Sequence, residues 1–450
     1  MKIKTKHCRF IATILVVTVI LLGAYASNKE KAKIAYLTCD YQTNPLLVSS
    51  QTPSFGWQLM SVENNDVQQS AYAIATSFLS PSNIESKARW IGAIKKKDSH
   101  IPEGRNYHAL AVASEEAKKW QQTHPLSKRS IYLRKPFETH GKVKSAIIYI
   151  CGLGHYELSL NGEKVGNDQF APLWSDYDKT VYYNAYDVTE NIETKNTIGV
   201  LLGNGFYNEQ GGRYVKMQVS FGPPTLFFNM QLTYEDGSRE EIVSDESWKY
   251  SLSPIVFNDM YGGEDYDARL EQKGWNTWSF DDSEWRPVVI QEPPKGKLTP
   301  QTAPPVKIME TYPIKEIKKG NNFYILDMGQ NLSGFPLIRV SGKKGDKIRL
   351  IVGENLNEDG SVNQSQSGTP YYYEYTLKGE GEEIWHPRFS YYGYRYIQVE
   401  GAKMKNSNDD SNLPVVNDVK SCFVYNSAPQ TGHFHCSNSI FNDAHRIIVN

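Results

Sequence analysis

Cysteine is scarce in this chain, and neither sign of charge is in excess. Five cysteines in 450 residues are too few to staple a fold of this length, and Cys8 lies in an N-terminal segment that is expected to be removed. Cys39, Cys151, Cys422 and Cys436 are therefore expected to be free and mostly buried. Lys and Arg number 49 against 50 Asp and Glu, a net charge of -1, so no basic face dominates to hold nucleic acid or an anionic membrane. His, Cys and acidic residues do not recur at metal-ligand spacing; His433 and His435 beside Cys436 are a local coincidence, and no metal or cofactor is expected. Asn204-Gly205 and Gly211-Gly212 lack the phosphate-loop pattern and read as turns, and no Ser or His stands in a nucleophile elbow. Long hydrophobic runs are missing except for Phe10 to Leu22, which follows Lys2, Lys4, Lys6 and Arg9 and precedes Ala24-Tyr25-Ala26. That is a secretion signal over residues 1–26, too short for a comfortable membrane span. Ser27 follows the cut where a lipid anchor needs Cys, so the mature chain is expected to be secreted or periplasmic with no membrane span.

What the chain has is aromatic side chains, 29 Tyr and 9 Trp among them, and strand patterns. Tyr156, Leu158 and Leu160 alternate with Glu157, Ser159 and Asn161, and Phe228, Met230, Leu232 and Tyr234 with Asn229, Gln231 and Thr233. Both patterns predict half-buried antiparallel strands. The second runs into Glu235-Asp236-Gly237-Ser238, a hairpin turn. Ile348, Leu350 and Val352 form a third alternating set after the Gly342–Asp346 turn. Turn signals recur without βα alternation, so the fold class is all-β, with serial β-sandwich or jelly-roll modules. Pro-rich and Gly-rich stretches over 292–296 and 299–305 predict a linker between a module at 88–292 and one at 306–426. From Ser437, a plausible N-cap, Ile440, Phe441, Ala444, Ile447 and Ile448 share one face of a predicted helix over 437–450.

One stretch concentrates polar chemistry: Tyr261-Gly262-Gly263-Glu264-Asp265-Tyr266-Asp267-Ala268-Arg269. Carboxylates accept from hydroxyls, arginine donates in a planar fork, and tyrosine offers a ring face with a polar tip, a set that suits a sugar. Upstream lie Gly152-Leu153-Gly154-His155-Tyr156, Ala171-Pro172-Leu173-Trp174-Ser175-Asp176-Tyr177, and Leu202-Gly203-Asn204-Gly205-Phe206-Tyr207. Downstream lie Asp327-Met328-Gly329-Gln330-Asn331 and Trp385-His386-Pro387-Arg388-Phe389-Ser390-Tyr391-Tyr392-Gly393-Tyr394-Arg395-Tyr396. In this order and spacing the chain resembles, from about Ala35 onward, the N-terminal half of the bacterial α-L-rhamnosidases, family 78 of the glycoside hydrolases.

The resemblance implies a fibronectin-like sandwich at 35–80, here incomplete, then a jelly-roll-like substrate-recognition module at 88–292, a concanavalin-like module at 306–426, and the start of an α/α barrel at 437–450. It also implies hydrolysis of terminal α-L-rhamnose with inversion by two carboxylates of that barrel. No residue of this chain matches them, so the 450 residues are expected to bind a rhamnose-containing carbohydrate, or to support the barrel, without cleaving the sugar. Trp174, Asp176, Tyr177, Asn204, Tyr207, Glu264, Asp267 and Arg269 are the candidate substrate-binding residues. The structural alternative makes Trp174 and Tyr177 a corner, lets Asp178 and Asp187 cap turns, and pairs Arg269 with Glu264. Trp385, Phe389, Tyr391, Tyr394 and Tyr396 are at strand spacing and read as core or cross-strand pairs; the resemblance implies that Arg388 and Arg395 bridge to the barrel in relatives, a face expected to be bare here. Two rivals remain: a stand-alone rhamnose- or plant-glycan-binding protein, and a non-functional remnant of a truncated gene. A separate catalytic fragment would be the complementing partner.

Overall fold

The computed structural model describes residues 32–39, 45–46, 53–61, 84–85, 87–98, 105–106, 129–430 apart from 210, 212, 215 and 217, and 432–449. The signal segment 1–26 and much of the 35–80 piece lie outside these. The protein is all-β, and α1 (Ser439–Val449) is the one α-helix among the described residues.

Two sheets form the first sandwich. One runs Val289–Ile290, Ile91–Gly92, Thr225–Tyr234, Val143–Leu153, Thr180–Asp187, Lys297–Pro300 in spatial order, and the other Arg286–Pro287, Lys249–Leu252, Ile131–Glu138, Lys195–Leu202, Tyr156–Leu160, Glu163–Lys164. Leu133, Ile150, Leu158, Val200, Phe228 and Trp248 are buried between them. The predicted hairpin is present: Arg239–Val243 returns beside Thr225–Tyr234, Gly237 takes φ 86°, and Asp236 Oδ1 accepts the Ser238 N–H at 2.9 Å.

The expectation of a half-buried strand fails from Thr225 to Met230, where every residue is buried. Phe227 on the outer face lies under Ile84, Ala88, Tyr177 and Tyr207. The Asn229 amide donates to the Ile84 carbonyl at 3.1 Å, so the segment just before residue 91 is part of this sandwich. Of the opening piece, Ala32–Cys39 and Phe55–Ser61 pair antiparallel.

Part of the predicted linker is strand. Lys297–Pro300 runs parallel to Thr180–Tyr183 at the sheet edge, where proline removes no inner ladder bond. The second module is built on a 12-stranded sheet with the central order Ile255–Asp259, Gly263–Asp267, Tyr372–Thr376, Lys347–Gly353, Tyr392–Glu400, Phe323–Ser341, Val415–Asn426, Val306–Pro313, Asp168–Gln169. Its core includes Leu326, Phe335, Ile348, Val352, Tyr373 and Ile397. The hairpin of Ile255–Asp259 and Gly263–Asp267 lies in the first module by sequence and in the second module's sheet in space. Gly263 makes this possible: at φ +99° it faces Tyr372 so closely that a Cβ would meet the Tyr372 carbonyl oxygen at 1.9 Å.

In α1, Asn438 rather than Ser437 caps the first turn, accepting the Ile440 N–H at 2.9 Å. Ile440, Phe441, Ile447 and Ile448 are between 60 and 83 % exposed. The four described cysteines are free, and burial is complete for Cys151 and Cys422 only.

Candidate functional site

The Tyr261–Arg269 stretch is a turn and a strand, and its carboxylates are engaged within the protein. Glu264 has no solvent exposure; its Oε1 accepts the Arg388 N–H at 2.9 Å and its Oε2 the Phe389 N–H at 3.0 Å. Burial pushes its pKa up to about 8, with the two backbone bonds pulling the other way. Asp265 pairs with Arg213, whose guanidinium lies 3.5 Å from the centroid of the Tyr372 ring. Asp267 caps the short turn Ala268–Leu270, and the Arg269 fork closes on it at 2.8 and 2.7 Å. That bond holds the Asp267 carboxyl below its ordinary range. Arg269 thus pairs with Asp267, not with Glu264 as the structural alternative supposed.

Asn204 is wholly buried: its N–H donates to Asn258 Oδ1 at 2.9 Å and its Nδ2 to the Asn258 carbonyl at 2.8 Å. Asp259 Oδ1 accepts the N–H groups of Tyr261 and Gly262 at 3.0 and 2.9 Å, and Glu209 Oε1 accepts the Met260 N–H at 2.7 Å. These bonds fix the turn that carries Tyr261. Tyr177 and Tyr207 are buried edge to face at 5.3 Å against the outer face of the seven-stranded sheet.

Trp174 is different. It is 52 % exposed and stacks on Phe206 with ring centroids 5.1 Å apart and planes 26° apart. Phe206 meets Tyr261 edge to face at 6.1 Å, and Tyr261 meets Tyr214 at 6.4 Å. The four rings form a band across the joint between the modules. Asp176, beside Trp174, is exposed and pairs with Lys179 at 3.1 Å. Of the eight sequence candidates, then, Tyr177, Asn204, Tyr207 and Glu264 are interior and hold the framework, and Trp174 and Asp176 stand at the surface. Asp267 and Arg269 lie at the far end of the strand that starts at Gly263. Phe206 and Tyr214 were not picked from sequence, although Phe206 lies inside a quoted motif; its exposed stacking partner is what marks it.

Trp385, Phe389 and Tyr394 are buried, in keeping with a core role, while Tyr391 is exposed. The Arg395 fork rests on Asp327, with both bonds at 2.8 Å. Among the described residues, no three His, Cys, Asp or Glu side chains are grouped to hold a metal ion. No described helix is long and apolar enough to cross a membrane.

The described residues form β-sandwiches in series, with an aromatic band at the joint of two of them. Three family models fit in succession: the Rha78A-like N-terminal immunoglobulin domain at residues 34–121, the alpha-L-rhamnosidase N-terminal domain at 141–310, and the bacterial alpha-L-rhamnosidase concanavalin-like domain at 317–425. The chain belongs to the bacterial α-L-rhamnosidase family, of which it carries the N-terminal region. An alpha-L-rhamnosidase of Formosa agariphila is 38 % identical over 328 residues, 70 % of this chain and 34 % of the relative. Another from the same organism is 31 % identical over 432 residues, 94 % of this chain and 43 % of the relative. The solved alpha-L-rhamnosidase of Dictyoglumus thermophilum superposes with a TM-score of 0.75 at 31 % identity, covering 92 % of this chain and 51 % of that one. The chain thus spans 34 to 43 % of the length of these curated relatives.

Proposed function

We propose that this chain is the carbohydrate-facing part of an exported α-L-rhamnosidase and that its aromatic band takes up an α-L-rhamnose residue. Rhamnose is a deoxy sugar whose methyl group and C–H face suit an aromatic platform, while its hydroxyls need acceptors such as Asp176. The observation that carries this reading is Trp174, half exposed yet held in one orientation by Phe206. A large ring kept rigid at the surface binds at low entropic cost. Tyr177, Asn204, Tyr207 and Glu264 serve it from beneath by fixing the turns. Cleavage is not assigned to the Tyr261–Arg269 stretch: Glu264 has no access to solvent, and Arg269 holds Asp267 ionised. Hydrolysis of terminal rhamnose belongs, on this reading, to carboxylates outside the described residues.

Titrating L-rhamnose into the whole chain and following tryptophan fluorescence tests this. Binding is expected with Kd on the order of 10 μM to 1 mM, given the few atoms of one sugar. Trp174→Ala is expected to weaken it by about 1–3 kcal/mol. The reading is wrong if no saturable change appears at tens of millimolar sugar, or if Trp174→Ala leaves the affinity untouched.

A further inference from the structure

A cleft of about 350 Å³ opens on the outer face of the sheet that contains Tyr156–Leu160, and none of the eight sequence candidates lines it. Its volume is at the small end of the range for ligand sites, enough for one sugar ring. Tyr132 and Trp275 stack 4.0 Å apart with planes 20° apart and make one wall. Gly199 allows that wall to sit close, since a Cβ there would meet Trp275 at 2.9 Å.

The polar side of the cleft is unevenly satisfied. Glu157 Oε1 accepts from Lys164 Nζ at 2.6 Å. Burial opposes ionisation of Glu157, but Arg388 and Lys164 outweigh it and hold its pKa down to about 2. Both oxygens of Glu271 are engaged, by the Tyr266 hydroxyl at 3.0 Å and Lys378 Nζ at 2.6 Å. Among the described residues the Arg388 guanidinium makes no hydrogen bond to a carboxylate, only a longer ion pair with Glu157. Its Nη1 lies 3.7 Å from Glu157 Oε1, beyond hydrogen-bond length, and 2.8 Å from Nε2 of His386. Burial and the neighbouring Arg388 keep His386 neutral, with its pKa held down to about 3. Nε and Nη2 of Arg388 make no hydrogen bond to any described residue. Lys164, Lys273 and Arg388 against Glu157 and Glu271 leave the lining one positive charge in excess.

We infer that this cleft is a binding site for a carboxylated sugar. The carboxylate docks on the open edge of the Arg388 guanidinium, which is shaped for bidentate contact. The pyranose ring lies along Trp275, and the Oε2 of Glu157, which has no hydrogen bond to a described residue, accepts from a ring hydroxyl. The site shares no residue with the aromatic band, so it stands or falls separately from the rhamnose reading.

The test is isothermal titration of the whole chain with D-glucuronate and D-galacturonate, and with D-glucose and D-galactose as neutral counterparts. At least one uronate is expected to bind saturably, at least tenfold more tightly than its neutral counterpart, and more weakly as salt is raised. Arg388→Lys keeps the charge but loses the fork and is expected to cost tenfold or more; Arg388→Gln should abolish selection for the acid. Glu264 is held by the backbone of Arg388, not its side chain, so both variants keep that contact. If they nevertheless unfold, indole N–H shifts in the unaltered chain decide, with Trp275 moving on addition of uronate and Trp174 staying still. Equal affinity for the neutral sugars, no binding at tens of millimolar uronate, or shifts at Trp174 alone would each overturn the assignment.

Discussion

Replacing Glu264 by Gln probes the joint between the modules through its dependence on pH. The folded carboxyl is fully buried, with its pKa raised from an ordinary 4.5 to about 8, chiefly by burial. A raised pKa means that the folded state favours the protonated acid. Its contribution is therefore complete below the unfolded value, declines as pH rises and the unfolded chain alone ionises, and is gone once pH has passed the folded value. Between 4.5 and about 8, at about 1.4 kcal/mol per pH unit, the loss amounts to about 5 kcal/mol. Gln cannot ionise and lacks this slope. Its amide nitrogen must face one of the two N–H donors of Arg388 and Phe389, a mismatch that costs about 1–3 kcal/mol at every pH. Urea unfolding at pH 5, 6.5 and 8 is thus expected to find the variant less stable at pH 5, with the gap closing or reversing by pH 8. Parallel pH dependence in the two proteins would refute the placement of an unionised acid at this joint.

Two further outcomes are expected. Gly263→Ala places a Cβ 1.9 Å from the Tyr372 carbonyl oxygen at a positive φ, so the thermal midpoint should fall by an amount equivalent to about 2 kcal/mol or more; an unchanged midpoint would mean that the parallel pairing can shift without cost. Removing residues 437–450 takes away the exposed stripe of Ile440, Phe441, Ile447 and Ile448 and should lower self-association, measured by light scattering, unless the stripe is covered in solution by another part of this chain.

How far the sequence could be read depended on how far apart the partners lie. Ile348, Leu350 and Val352 alternate and are buried in the sheet, and Asp236-Gly237 makes its turn, because both patterns are written in adjacent residues. The family, too, was legible from local motifs. The covering of Phe227 was not, since Ile84 and Tyr177 reach it from distant segments. Nor was the fate of the acidic stretch: the donors to Glu264 are 124 and 125 residues away, and without them three carboxylates beside two glycines look like an open sugar-binding loop. Arg269 was within reach, two residues from Asp267, but spacing alone does not choose between Asp267 and Glu264. The cleft around Arg388 left no local sign, because its walls come from segments as far apart as Tyr132, Glu157, Leu201, Trp275 and Arg388.

The strand Gly263–Asp267 also bears on how such proteins can be recombined. A crossover in the proline-rich stretch between residues 292 and 306 looks harmless on paper, yet it would send the downstream module to a new host without the hairpin that borders Tyr372–Thr376. The recipient would inherit a bare edge ready to pair with any free strand. The donor would keep a hairpin with nothing to lie against. A chimera that respects the sheet must move the two modules together.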